Sequence, residues 1–207
     1  IESLYDLDDK NIEVIIIDDG SNDSTKDILR GNNQFVIKRN EKNLGKGASI
    51  KKGVKHAKNK NIILMDGDLE VDINDIPKLI LNYESNKSDV IAGVRWKNKN
   101  VFQNRDINTI GNFIINLVFN ILFNSKLNDV LCCVKILSKK KFKSLDIQSQ
   151  GFDIEIETMA KLVINGDIIE ELKVNYNRRT TQEGKKLKLS DSWIIIWTMF
   201  KIRFKKP

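Results

Sequence analysis

The chain has 207 residues, 41% of them hydrophobic and 30% charged, which excludes a disordered chain and suits one domain with a substantial core. A formal charge of +7 and a pI near 9.3 favour a polyanionic partner such as nucleic acid, anionic lipid or a phosphorylated substrate, with a solvated lysine-rich surface as the plain alternative. The adjacent Cys132 and Cys133 suggest no disulfide framework, no secretory signal is visible, and no apolar run approaches the roughly 18–20 residues that span a bilayer.

Residues 13–17 form a β-branched run that stops in the turn Asp18-Asp19-Gly20-Ser21. A short helix over 25–29 and a second strand over 35–38 follow. The spacing of Ala48, Ile50, Val54 and Ala57 predicts a helix from Gly45 to about Lys58, and residues 61–65 predict a third strand that runs directly into Asp66-Gly67-Asp68. Asn74 is a plausible cap for a helix with Pro77 in its first turn, and residues 89–93 predict a fourth strand. Strands alternating with helices argue for an α/β domain with a largely parallel sheet, whose ligands bind at the carboxyl ends of strands. Both acidic clusters sit at such ends.

The second half is more helical. Residues 108–123 carry apolar side chains at helical period beside a stripe of asparagines (Asn108, Asn112, Asn116, Asn120, Asn124), the pattern of an amphipathic helix. A helix opening at Gly151-Phe152 and running through Asn165 comes next, then a hairpin-like pair near 168–172 and 174–176. A closing helix over 189–204 bears Trp193, Trp197, Phe200 and Phe204 along one stripe, with Lys205 and Lys206 behind it.

Two carboxylates flanking Gly67 at a strand end suit a hard cation, Mg²⁺ or Mn²⁺, held together with substrate phosphates. An ordinary acidic turn is the competing reading. Asn43-Leu44-Gly45-Lys46-Gly47 opens a helix with two glycines and a lysine, so backbone N–H groups and a cation can face an anion. The loop is neither a Walker A motif nor a dinucleotide fingerprint.

Taken in order, strand-DDGS, NLGKG-helix and strand-DGD resemble glycosyltransferase family 2, the inverting enzymes of the glycosyltransferase A fold. Gly93-Val94-Arg95, Arg105, Asp129 with Lys135, Gly151-Phe152 with Glu155 and Glu157, and Arg179 followed by Glu183-Gly184-Lys185-Lys186 narrow the likeness to the dolichyl- and polyprenyl-phosphate mannosyl- and glucosyltransferases. The resemblance implies a Rossmann-like, mostly parallel sheet flanked by helices, forming a single domain over residues 1–207. Family members begin with a strand and a Pro-x-Tyr-Asn-Glu-like segment, and residues 1–12 here look like the helix after it, so that first strand is expected outside the given chain.

The resemblance further implies that Ile17, Asp19, Lys46, Gly47, Asp66 and Gly67 meet the nucleotide, and that Asp66, Asp68 and Glu70 meet the metal, although many relatives have Gln at the last position. Arg95, Arg105, Arg179 and Lys186 would contact phosphates of donor and acceptor, a task that suits guanidinium forks. Asp129 is the candidate catalytic base or acceptor-orienting group. A phosphate acceptor is already anionic near neutral pH and needs a strong base less than a sugar hydroxyl does. The donor would be GDP-mannose or UDP-glucose, the acceptor a polyprenyl phosphate, and the location the cytoplasmic face of a membrane, bound peripherally through an anionic surface. Nucleic acid is not an expected partner, since no interleaved aromatic and basic platform is visible. Two alternatives are a haloacid-dehalogenase-like phosphatase using Asp66 and Asp68, which leaves DDGS and NLGKG unexplained, and a non-catalytic nucleotide-binding scaffold on a membrane.

Overall fold

The computed structural model describes residues 12–96, 107–177 and 189–204. In chain order the elements are β1 (Ile15–Asp18), α1 (Thr25–Leu29), β2 (Val36–Arg39), α2 (Lys46–His56), β3 (Asn61–Leu64), a 3₁₀ turn (Ile73–Asp75), α3 (Ile76–Ser85), β4 (Val90–Val94), α4 (Ile107–Phe123), β5 (Lys135–Ser138), α5 (Lys139–Ser144), α6 (Ile154–Ile164), β6 (Ile169–Lys173) and α7 (Leu189–Phe204). Strands β1 and β2 pair in parallel, and β3-β5-β4-β6 form a four-stranded sheet.

The larger sheet is mixed. β5 runs antiparallel between β3 and β4, whereas β6 lies parallel to β4. The hairpin expected over 168–176 does not form. Ile169–Lys173 takes β4 as its partner, and the chain beyond it makes a single antiparallel bridge between Tyr176 and Val71. Tyr176 is thereby carried to the acidic turn.

Strand period explains the layers. One cross-strand row, Ile62, Leu137 and Val90, faces a core shared with α4, α6 and α7. The next row, Ile63, Ile136 and Ile91, faces the opposite core with Leu79 and Ile76 of α3, as successive side chains of a strand must. β4 is buried on both sides along its whole length, which accounts for its continuous apolar run. Asp72 accepts from the Asn74 backbone at 2.9 Å and caps the 3₁₀ turn, while Asp75 and not Asn74 stands at the N-cap position of α3, and Pro77 sits in the first helical turn.

α4 buries one apolar stripe, exposes another, and turns two of its asparagines to a neighbouring loop. Asn116 and Asn120 both donate to the Leu127 carbonyl, at 2.7 and 2.8 Å, and the Asn116 side-chain oxygen accepts from Val130 N at 3.0 Å. The asparagine stripe thus fastens the loop carrying Asp129. Ile115, Phe119 and Phe123 fill the core, while Ile110, Phe113, Ile114, Leu117 and Ile121 remain exposed.

Candidate active site

The carboxyl ends of β1 and β3 converge on the first turn of α2. Gly20 and Gly45 are left-handed, with φ of 73° and 95°, and a Cβ on either would lie within 2.5 Å of backbone atoms, so the turns require glycine. The Asp19 carboxylate accepts from Asn40 Nδ2 at 2.7 Å, Leu44 N at 2.9 Å and Gly45 N at 2.8 Å. Burial works against its charge, but these hydrogen bonds hold its carboxyl below the usual range. Asp18 is buried beneath it, paired with Arg39 and capped by Ser21 N. Asp19 therefore ties the DDGS turn to the NLGKG loop. The Ile17 side chain turns toward α2, 3.4 Å from where a Cβ on Gly53 would stand. Gly47 is required by packing, because a Cβ there would come within 2.5 Å of the Ser149 carbonyl.

Lys46 lies at the centre. Its ammonium donates to Asp66 Oδ2 and pairs with Glu155 Oε1, both at 2.7 Å. Burial disfavours its charge, yet Glu155 and Asp66 more than offset that and raise its pKa. Glu155 also pairs with the buried Lys135, whose ammonium donates to the Cys132 carbonyl at 2.5 Å. Two cations and two carboxylates form one balanced chain from α2 through the acidic turn to β5 and α6, the arrangement that buried charge demands. Glu157 accepts the Gln148 and Ser149 backbone amides instead and fixes the segment that packs on Gly47.

The acidic turn opens outward. Asp68 Oδ1 accepts from Glu70 N at 3.1 Å, and a Cβ on Gly67 would meet no protein atom within 4 Å. Among the described residues no three His, Cys, Asp or Glu side chains form a cage for an ion. Two carboxylates beside open space suit Mg²⁺ or Mn²⁺ all the same, since these ions take one or two carboxylates and complete their shell with water and substrate phosphate.

Arg95, one residue past β4, is clamped by Asp129. Its Nε donates to Oδ2 and its Nη2 to Oδ1, both at 2.8 Å, and its backbone N donates to Oδ2 at 3.0 Å. Burial opposes the guanidinium charge, but Asp129 outweighs it and holds Arg95 protonated. Asp129 is buried, and Glu171 of β6 accepts its backbone N–H and that of Asn128. The Arg95 guanidinium lies 5.2 Å from the ring of Trp96 and 5.3 Å from that of Tyr176. Tyr176 Oη donates to Glu70 Oε2 at 3.0 Å. Burial pushes its hydroxyl pKa up, Arg95 opposes this and Glu70 adds to it.

The structure thus links Asp19, Lys46 and Asp66 through the first turn of α2, and Asp68, Glu70, Arg95 and Asp129 through Tyr176. Arg105, Arg179 and Lys186 lie outside the described residues. Sequence reasoning missed the Lys46–Glu155–Lys135 chain and Tyr176. Glu155 and Glu157, two apart at a helix start, were the only hint of the former, and nothing in the pattern pointed to the latter.

Residues 1–145 match the model of glycosyl transferase family 2, and the chain belongs to that family of glycosyltransferases. It is 30% identical over 191 residues, 86% of this chain and 82% of the relative, to an uncharacterized protein of Methanocaldococcus jannaschii. It is 27% identical to a dodecaprenyl-phosphate galacturonate synthase of Rhizobium johnstonii, over 81% of this chain and 50% of that protein. A dolichyl-phosphate beta-glucosyltransferase of Trichomonas vaginalis is also 27% identical, over 86% of this chain and 57% of the relative. The chain thus spans about half the length of these two lipid-phosphate relatives. Glucosyl-3-phosphoglycerate synthase from Mycobacterium tuberculosis, crystallised with Mn²⁺, UDP and phosphoglyceric acid, superposes with a TM-score of 0.70 at 18% identity, covering 99% of this chain and 74% of that one. The fold is glycosyltransferase A. The family match also includes the DDGS turn and the NLGKG loop, which the phosphatase reading left unexplained.

Proposed function

We propose that this chain is an inverting hexosyltransferase that moves a sugar from GDP-mannose or UDP-glucose to a polyprenyl phosphate at a membrane surface, using Mg²⁺ or Mn²⁺. In this reading residues 1–207 make one catalytic domain. The observation that carries it is the meeting of an open acidic strand end and a carboxylate-clamped guanidinium across the Glu70–Tyr176 hydrogen bond. A leaving diphosphate needs carboxylates that hold a cation against it, and an attacking phosphate needs a fixed guanidinium beside it. The two lipid-phosphate relatives support the acceptor class, and the Mn²⁺ and UDP bound to the fold neighbour support the cofactor and donor class.

Asp66 and Asp68 would hold the cation, with Glu70 steadying the turn two residues beyond, and the cation when bound neutralises the departing diphosphate. Asp19 orders the loop on which the nucleoside rests, with Ile17 and Gly47 backing it. The open face of Gly67 leaves room for a phosphate, and Lys46 keeps Asp66 aimed. Arg95, with Arg105, Arg179 and Lys186, would bind phosphate oxygens. Asp129 acts by orienting Arg95. The acceptor oxygen carries its own negative charge, so an in-line attack needs little help from a base.

The test is a thermal-shift titration with Mn²⁺ plus GDP or UDP, followed by transfer of labelled sugar to a polyprenyl phosphate. Stabilisation and transfer by the wild type, both lost in Asp68→Ala with the ligand-free melting temperature unchanged, are the expected result. Undiminished transfer by Asp68→Ala at saturating donor would overturn the mechanism.

A further inference from the structure

The reading above gives Tyr176 no contact with substrate or cation, yet its environment is built on all sides. The chain entering it is strapped to the acidic segment. Asp72 N donates to the Asn175 carbonyl at 3.0 Å, and Asn177 N donates to the Glu70 carbonyl at 2.7 Å. Asp75 accepts the Asn175 backbone N–H at 2.5 Å and its side-chain amide at 3.2 Å. These bonds fix the backbone on both sides of Tyr176 against residues 70–75. The ring is fixed independently, in edge contact with Trp96 at 5.2 Å between centroids.

From this seat Tyr176 touches both halves of the site. The hydroxyl donates to Glu70, two residues beyond Asp68, and the ring stands beside the Arg95 guanidinium. A phenol whose hydroxyl hydrogen-bonds to a carboxylate has a more electron-rich ring, which attracts a cation more strongly. Two of the five guanidinium N–H groups are taken by Asp129. An anion arriving at Arg95 therefore meets a group whose plane is set on one edge by Asp129 and beside the ring by Tyr176.

We propose that Tyr176 is a positioning residue that couples the two substrate sites: an anion on Arg95 steadies the ring, the ring's hydroxyl steadies Glu70, and the acidic turn then takes the cation and nucleotide more tightly. By linkage, cation and nucleotide strengthen phosphate binding at Arg95 by the same factor. The ligand at Arg95 is a phosphate monoester dianion. This inference rests on the proposed function, since it takes Glu70 as donor-side and Arg95 as acceptor-side.

The experiment is a binding cycle without turnover. Affinity for Mn²⁺ with UDP, and for Mn²⁺ with GDP, is measured calorimetrically with and without a soluble short-chain prenyl monophosphate, on wild type and on Tyr176→Phe. The variant keeps the ring against Trp96 and Arg95 and loses only the hydroxyl. The wild type is expected to bind its nucleotide about fivefold or more tightly when the monophosphate is present. In Tyr176→Phe that ratio should fall to near one, while the affinity for nucleotide alone changes less than the ratio does. Glu70→Gln, which removes the charge at the other end of the hydrogen bond, should lower the ratio likewise. An undiminished ratio in Tyr176→Phe overturns the coupling and leaves the glycosyltransferase reading intact. A ratio of one or below in the wild type does the same. Wild type that binds neither nucleotide with Mn²⁺ overturns both.

Discussion

A carboxylate that grips one guanidinium with both oxygens, and also accepts a backbone N–H, has little lone-pair capacity left for a substrate proton. Asp129 is such a group, which favours orientation over proton transfer. Asp129→Asn should leave Arg95 as a poorly compensated buried charge and lower stability by about 3–5 kcal/mol. In steady-state kinetics the KM for the lipid phosphate should rise about tenfold or more, with the acidic limb of the kcat profile unmoved. A general base would show the reverse: kcat lost, and a titration limb removed. A second residue-scale prediction concerns acid. Hydrogen bonds hold the folded-state Asp19 carboxyl below its ordinary value of 3.8, so the folded protein binds fewer protons there than the unfolded chain. Its contribution to stability is fully present above pH 3.8 and is lost as pH falls through the lower folded value. The stability gap between wild type and Asp19→Asn, read from urea midpoints, should be widest near neutrality and shrink as pH falls below 3.8 and through the lower folded value.

At the scale of elements, α4 shows how a helix can organise a site it does not enter. Asn120 accepts from Leu127 N at 3.1 Å and donates to its carbonyl, and Asn116 joins the same carbonyl. Asn120→Ala would strand the Leu127 N–H and cost about 1–3 kcal/mol. Because the loop it releases carries Asp129, the KM for the phosphate acceptor should rise with it. Stabilisation by Mn²⁺ and nucleotide should stay at the wild-type value, which thermal shift checks. The four-residue asparagine spacing was visible in the sequence, but its direction was not. A helix reveals which residues share a face, whereas its neighbours decide which face turns inward. Strands divide in the same way. β1, β2, β3 and β4 were readable because each apolar run ends in a turn or an acidic cluster. β5 is only Lys-Ile-Leu-Ser, too short to show a period, and β6 was mistaken for half of a hairpin because its partner β4 lies some 80 residues earlier in register, with Val90 opposite Ile169. Strand partners of that kind are set by long-range packing. The site followed suit: motifs at strand ends were legible, whereas the Lys135–Glu155 pair and Tyr176 depend on those unseen pairings.

On the whole molecule, the largest unexplained feature is apolar surface. α4 packs beside α7, and both turn apolar side chains outward, with Ile121 71% and Trp193 73% exposed. Trp197, Phe200 and Phe204 continue the α7 stripe, while Ile195 and Met199 on its inner side are buried and Thr198 bonds to Asp153 near the site. The aromatic stripe therefore lies outside the core formed by the described residues. Two adjacent helices that both expose large apolar side chains are the kind of surface that marks a protein or membrane contact. No helix among the described residues is long and apolar enough to cross a bilayer. Lys201 and Arg203 in the last turn of α7, on a chain of net charge +7, add attraction to anionic lipid of about 1 kcal/mol for each cation near the surface. The expected behaviour is reversible binding to vesicles containing anionic lipid, weaker on neutral ones and weaker as salt rises. Trp193→Ala with Trp197→Ala should cut binding to both vesicle types, because it removes apolar burial, whereas Lys201→Gln with Arg203→Gln should cut only the anionic excess. Co-sedimentation at two salt concentrations separates these effects. If the face instead binds a second copy of the chain, sedimentation without lipid would show a dimer that the tryptophan variant abolishes, and vesicles of either composition would recover no protein.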